Sequence, residues 1–165
     1  MIETIELAKK LIAFESVTPA KQDIFDYLIK LFQEQGFETK QLNFNGDGSY
    51  EVINLFATYG ISNAGSNAKH FNFACHVDVV PPGNIEDWTE NPFSPTIKDG
   101  YLYGRGSEDM KGCTAASIVS VFNFIKNNVN PGHLMFCAKK IKNYKKTFET
   151  KSTFFELPVI KNKIN

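Results

Sequence analysis

The feature that most constrains this chain is an apolar run that ends in a histidine and an aspartate. Residues 71–80 read F-N-F-A-C-H-V-D-V-V, and Pro-Pro-Gly ends the run at residues 81–83. The run predicts a strand, and its period of two places the apolar side chains on one face and His76 and Asp78 on the other. Ligand sites of α/β proteins lie at strand ends, so His76 and Asp78 are the first candidates for chemistry.

A second block, about thirty residues further on, carries Asp109 between glycines. Residues 104–112 read G-R-G-S-E-D-M-K-G, and glycines permit backbone bends that a side chain would forbid. A carboxylate held there could bridge two cations through its two oxygens. An aspartate just before a helix is also a common N-cap, and both roles stay open. Phosphate binding is the weaker alternative, because the glycines do not continue as G-x-G-x-x-G.

His76, Asp78 and Asp109 together are the components of a zinc site. A neutral imidazole binds zinc through one ring nitrogen, and a carboxylate that accepts the other N–H fixes the tautomer and orientation of the ring. An isolated H-x-D is more often a strand-end histidine with an ordinary hydrogen bond. The second motif is therefore what favours a metal site.

The remaining hydrophobic patterns predict helices before and after a run of strands, which indicates an α/β fold. Gly36 is placed to end the second helix. Apolar residues 5, 8, 11 and 12 predict one face of the first helix. A turn is predicted at 45–48 and a polar connection at 61–68. Helices are predicted over 2–14, 21–35 and 113–129, and strands over 37–44, 52–59, 71–80 and 101–103.

Charge divides the chain into two parts. Residues 1–130 hold 10 basic and 16 acidic side chains, whereas residues 131–165 hold 8 and 2, although the whole chain is neutral. We predict one domain over 1–130 and a divergent basic tail over 131–165 that packs poorly, being disordered or translated from a shifted frame. A nucleic-acid-binding arm is the competing interpretation. No nucleic-acid motif accompanies the basic residues, so no nucleic-acid partner is expected.

The cysteines and the hydropathy indicate the compartment. Cys75, Cys113 and Cys137 are widely spaced and form no C-x-x-C pair, which suits free thiols in a reducing environment. No apolar run approaches the roughly 18 residues that span a membrane, and the first residues lack the features of a signal peptide. We predict a cytoplasmic protein without a membrane partner.

The two blocks taken in order resemble the zinc-dependent amidohydrolase/metallopeptidase family. The string is H-V-D-V-V-P-P-G followed by W-x-x-x-P-F-x-P-x-I-x-D-G-x-L-Y-G-R-G-x-x-D-M-K-G. The resemblance covers roughly residues 1–130. It implies the N-terminal part of a zinc-metallopeptidase-like catalytic domain, with a mixed sheet flanked by helices.

The resemblance also implies roles and a reaction. His76 would bind one zinc, Asp109 would bridge two zincs and precede a cis peptide to Met110, and Asp78 would be the catalytic-site residue that orients His76; cobalt could substitute for zinc. The implied enzyme is a homodimeric hydrolase of linear amides in small N-acyl amino acids. The motifs that match the family imply hydrolysis of N-succinyl-LL-2,6-diaminopimelate to succinate and LL-2,6-diaminopimelate in lysine biosynthesis. Acetylornithine or another N-acyl amino acid is the alternative substrate.

The sequence then departs from the family pattern. The pattern calls for a short strand and two adjacent glutamates, of which the first is the general base and the second a zinc ligand. No adjacent glutamates follow Asp109, and the remaining acids are Glu149 and Glu156. The later ligands and the dimerisation domain have no counterpart in the 165 residues. We therefore expect incomplete zinc binding and no activity from this chain alone, and a non-catalytic binding or regulatory fragment stays open.

Overall fold

The computed structural model describes residues 2–45, 50–60, 70–128 and 132–138. Within these residues two helices come first, five strands follow, and a third helix precedes the last strand; a short 3-10 turn lies at Ile85–Asp87. The helices are α1 (Thr4–Ala13), α2 (Gln22–Gln33) and α3 (Gly112–Asn127). The strands are β1 (Glu38–Phe44), β2 (Val52–Tyr59), β3 (His70–Cys75), β4 (Thr96–Lys98), β5 (Tyr101–Tyr103) and β6 (His133–Ala138).

The main sheet is mixed, and its strand order is β1-β2-β6-β3. The β1–β2 and β2–β6 pairs are antiparallel, whereas β3 and β6 run parallel, with His70 opposite His133 and Cys75 opposite Ala138. Strands β4 and β5 form a separate hairpin. Helix α1 packs on α3, and α2 packs on β1 and β2. The predicted α/β fold with a mixed sheet and flanking helices is confirmed.

Strand β6 corrects the predicted boundary at residue 130. We assigned residues 133–138 to a poorly packed tail, but they form a central strand between β2 and β3. Phe136 is 1% exposed, and Cys137 and Ala138 are fully buried. The error arose because charge was counted over 35 residues, and the basic side chains begin only at Lys139. Residues 139–165 lie outside the described residues.

Three helical stripes cover the sheet and form the core. Helix α1 buries Leu7, Ala8, Leu11 and Ile12, so Leu7 takes the place predicted for Ile5. Helix α2 buries the predicted stripe and ends just before Gly36, whose φ of +82° is a left-handed conformation that favours glycine. Phe32 lies at the centre of an aromatic cluster, with ring centroids 5.1, 5.5 and 5.0 Å from Phe37, Phe122 and Phe136.

Strand β3 is shorter than predicted, and this places the candidate site. It ends at Cys75 rather than at residue 80, so His76 and Asp78 follow the strand instead of ending it. The alternation nevertheless continues, because Val77 and Val79 are buried and Val79 forms a single parallel bridge with Val17. The two candidate side chains therefore still share a face.

Some predictions lie outside the described residues. These are most of the turn at 45–48 and the connection at 61–68. The third helix ends at Asn127, two residues before the predicted end at 129, because Asn128 is extended. Within the described ranges, no helix is both long and apolar enough to cross a bilayer.

The position of β6 makes a prediction about stability. Replacing Phe136 with alanine should lower the free energy of unfolding by about 3–5 kcal/mol, because a buried aromatic side chain is lost from the core. The matched control is Phe124→Ala, since Phe124 on α3 is 46% exposed, and we expect a change within about 0.5 kcal/mol. Urea denaturation followed by circular dichroism measures both. Equal and small effects would mean that β6 does not belong to the cooperative core.

Candidate metal centre

His76 and Asp109 meet at the end of β3. Asp109 lies in a helical turn, Ser107–Lys111, whose backbone is non-helical at Asp109 and Met110. The His76 Nε2 atom is 3.1 Å from Asp109 Oδ1, and the other ring nitrogen, Nδ1, faces Asp78. The structure thus brings His76 and Asp109 together and places Asp78 behind His76.

Both ring nitrogens of His76 face acceptors, and the deeper burial of Asp78 than of Asp109 favours Nδ1 as the nitrogen that carries the proton in the neutral ring. Nδ1 is 3.0 Å from the Asp78 main-chain oxygen and 3.5 Å from its carboxylate Oδ1, so it faces only acceptors and must be protonated to bond them. In the neutral ring, Nε2 then presents a lone pair to the Asp109 carboxylate. Two lone pairs at 3.1 Å repel unless a positive species lies between them, either a second ring proton or a cation.

Asp78 is held by the segment that follows α1. Thr18 Oγ1 donates to Asp78 Oδ2 at 2.7 Å, and Ser16 Oγ donates to the Val77 carbonyl at 2.6 Å. Burial alone would raise the pKa of Asp78, but the hydrogen bonds from His76 and Thr18 outweigh it and lower that pKa. The hydrogen bond to Asp78 raises the pKa of His76 against the opposing effect of burial. No pattern in the sequence predicts this role of Thr18.

The main chain of His76 is fixed from two sides. Its N–H points at Met110 Sδ at 3.4 Å, and its carbonyl accepts from Thr114 Oγ1 on α3, also at 3.4 Å. Met110 follows Asp109 through a cis peptide, as the family resemblance implies. Asp109 does not cap α3, whose N-cap residue is Lys111 and has no side-chain capping bond, so the N-cap alternative is wrong.

A cavity of about 550 Å³ opens at the two candidate ligands. Its lining includes Arg105, which is the one lysine or arginine among the lining residues that the structure describes. The Arg105 guanidinium stacks 4.7 Å from the Trp88 ring, and both side chains donate to the Pro82 carbonyl, at 3.4 and 2.8 Å. Stacking orients this cation at the wall of a cavity that is also lined by the three carboxylates of Asp78, Glu108 and Asp109.

The donor set fits two ligands of one zinc ion. Bonds of about 2.0–2.1 Å in a tetrahedron separate neighbouring ligand atoms by about 3.3 Å, which is close to the observed 3.1 Å. Cys75 does not add a ligand, because it is buried at the end of β3 and does not line the cavity. Across the ranges that the structure covers, no cluster of three or more His, Cys, Asp or Glu side chains is arranged to hold a metal. The fit is therefore to part of a metal site.

Comparisons with known proteins find a matching family model and several relatives. The family model described as Peptidase family M20/M25/M40 matches residues 73–139, which include both candidate ligands and β6. The succinyl-diaminopimelate desuccinylase of Pelagibacter ubique (strain HTCC1062) is 46% identical over 124 residues, covering 75% of this chain and 31% of that relative. The enzyme of the same name from Rickettsia typhi is 40% identical over 145 residues, covering 87% and 37%. This chain thus spans about a third of the length of the curated relatives it matches.

Solved structures show the same fold. Human carnosine dipeptidase 1 superposes with a TM-score of 0.71 at 20% identity, covering 87% of this chain and 33% of that one. An M20 family metallo-carboxypeptidase, Sso-CP2 from Sulfolobus solfataricus, gives 0.69 at 20% identity, covering 84% and 31%. The resemblance inferred from the two motifs is confirmed, and the similarity continues past residue 130.

The contacts of His76 make a prediction that needs no metal. In the metal-free protein, at a pH high enough to make the ring neutral, the proton should reside on Nδ1, because that atom faces the buried Asp78, whereas Nε2 faces Asp109, whose exposed carboxylate is solvated by water. Ring ¹⁵N chemical shifts measure the tautomer, and the chain has only three histidines to assign. Asp78→Ala should weaken the preference. A dominant Nε2–H tautomer in the unmutated chain would contradict the geometry.

Proposed function

We propose that this chain carries part of the di-zinc centre of a hydrolase of the M20/M25/M40 peptidase family. In this proposal His76 binds one zinc, Asp109 is the carboxylate shared by both, and Asp78 orients His76. The observation that carries the proposal is the His76 Nε2 atom 3.1 Å from the Asp109 carboxylate, on a ring whose Nδ1 atom faces only acceptors. A cation that both atoms bind resolves the repulsion between their lone pairs.

The described residues would contribute binding and orientation. Zinc, when bound, supplies a Lewis acid and lowers the pKa of a water molecule so that it becomes nucleophilic at neutral pH. Asp78 keeps the proton on Nδ1, which leaves Nε2 free as a ligand. Thr18 holds Asp78 in that position, and main-chain contacts from Met110 and Thr114 keep the ring from turning away.

The substrate that we propose for the complete site is N-succinyl-LL-2,6-diaminopimelate, which is hydrolysed to succinate and LL-2,6-diaminopimelate. Its support is the shared name of several relatives at 40–46% identity. The Arg105 guanidinium in the cavity wall also suits a substrate that bears carboxylates. Another N-acyl amino acid, such as acetylornithine, is the alternative. A homodimer and a cytoplasmic location complete the proposal, and the three cysteines are free thiols.

These 165 residues do not supply everything that the reaction needs. A di-zinc site uses about three protein ligands per metal, together with a base near the attacking water. No adjacent glutamates follow Asp109 in the sequence. A binding role without catalysis is therefore the second candidate function for the chain when it is studied alone.

Zinc affinity tests the assigned ligands. His76→Ala and Asp109→Ala should each weaken zinc binding by more than about 10-fold, since changes to outer-shell partners alone typically cost 10–100-fold. Glu108→Ala is the matched control, because Glu108 is an exposed acid on the same turn. Isothermal titration calorimetry measures all four proteins. Equal affinities would remove His76 and Asp109 from the metal site.

Hydrolysis tests the reaction. The 165-residue chain with excess zinc should show no measurable cleavage of N-succinyl-LL-2,6-diaminopimelate, because loss of the base alone typically costs about 10²–10⁴-fold in rate. A chimera that joins residues 1–138 to the remaining two thirds of the Pelagibacter ubique relative should cleave it, and His76→Ala in that chimera should not. A folded chimera that cleaves acetylornithine instead would favour the alternative substrate.

A further inference from the structure

Lys111 is a fully buried lysine two residues after Asp109. Its side chain has no solvent-exposed surface, although lysines are almost never buried completely unless they are paired. The ammonium donates to the Phe14 carbonyl at 2.8 Å and does not line the cavity. Because the ammonium does not reach the cavity, contact with a substrate does not explain it.

The acceptor of that hydrogen bond belongs to the segment that holds Asp78. The Phe14 carbonyl also accepts from the main chain of Ser16 at 2.8 Å. Ser16 in turn bonds the main chain of residues 77 and 79, and Thr18 bonds the Asp78 carboxylate. A continuous set of hydrogen bonds thus connects the Lys111 ammonium to Asp78 and, through Asp78, to the His76 ring.

The main chain of Lys111 closes the turn that carries Asp109. Its N–H donates to the Gly106 carbonyl at 2.8 Å. Gly106 has a φ of +80°, and a Cβ atom there would collide with the Val79 side chain. The turn therefore packs directly against residues 77–79, the segment that contains Asp78. Lys111 therefore contacts both structural units of the site, one through its main chain and the other through its side chain.

Stability alone does not explain the charge. Replacing a buried ionic group by an apolar side chain of similar volume is often neutral or stabilising, because burial of a charge is costly. The carboxylates of Asp78 and Asp23 attract the ammonium electrostatically, and this attraction offsets part of that cost. A buried ammonium is therefore better explained by the geometry that it imposes than by a gain in folding free energy.

We propose that Lys111 is a positioning residue that cross-links the Asp109 turn to the Phe14–Thr18 segment and thereby sets the His76–Asp78–Asp109 geometry. The expected effect of Lys111 on zinc affinity rests on the proposed function. Its effect on the His76 ring does not, because the hydrogen-bonded connection involves protein atoms alone.

The experiment compares Lys111→Met with Leu28→Ala in the full chain, using two readouts. Leu28 is a fully buried residue of α2, so its truncation weakens packing outside the site. The first readout is the His76 tautomer from ring ¹⁵N shifts without metal. The second is zinc affinity by calorimetry, at a temperature where both variants are folded.

We expect Lys111→Met to lose the preference for the Nδ1 proton and about 10–100-fold in zinc affinity, while Leu28→Ala keeps both. Lys111→Gln, whose amide is one bond too short to reach the Phe14 carbonyl, should show the same losses and replaces Lys111→Met if that variant does not fold. Unchanged readouts in a folded Lys111 variant, or equal losses in Leu28→Ala, would overturn the inference. If the unmutated chain binds no zinc, the proposed function fails, and the tautomer still decides the role of Lys111.

Discussion

The candidate site depends on the pairing between β3 and β6. Strand β3 lies at the edge of the main sheet, and its only neighbour in the described sheet is β6. The last pair in their parallel register, Cys75 opposite Ala138, immediately precedes His76. Because the main chain of β3 is fixed by this ladder, the direction in which His76 leaves the sheet is fixed by β6. A strand without a functional side chain in the site therefore places one candidate ligand.

Beyond Cys75, contacts with residues 16–18 keep the main chain extended. The bridge between Val17 and Val79 and the bonds from Ser16 and Thr18 hold residues 77–79 where no ladder remains. An extended main chain with alternating side chains persists there, although the strand has ended. The consequence is functional, since His76 and Asp78 stay on one face and within reach of each other. The site is thus built where regular secondary structure gives way to side-chain hydrogen bonds.

This division explains what could be predicted from the sequence. The spacing of apolar residues predicted the helices, the strands and the shared face of His76 and Asp78, because buried side chains recur with the period of the helix or strand. The motif resemblance, rather than spacing, pointed to Asp109. Strand β6 was missed because charge was averaged over the tail, although its near-continuous apolar sequence, L-M-F-C-A, is typical of a central strand. The role of Lys111 leaves no periodic pattern, since its bond to Phe14 spans 97 residues.

The two carboxylates beside His76 differ in exposure, and this difference separates their roles. The side chain of Asp109 is 88% exposed, so water solvates its charge and its oxygens are available to an incoming ligand. The Asp78 side chain is 13% exposed, and its charge is stabilised by hydrogen bonds from Thr18 and the ring of His76. Binding a metal through Asp78 would break those bonds, whereas Asp109 has far fewer to lose. Physical chemistry therefore favours Asp109 as the ligand and Asp78 as the residue that orients His76.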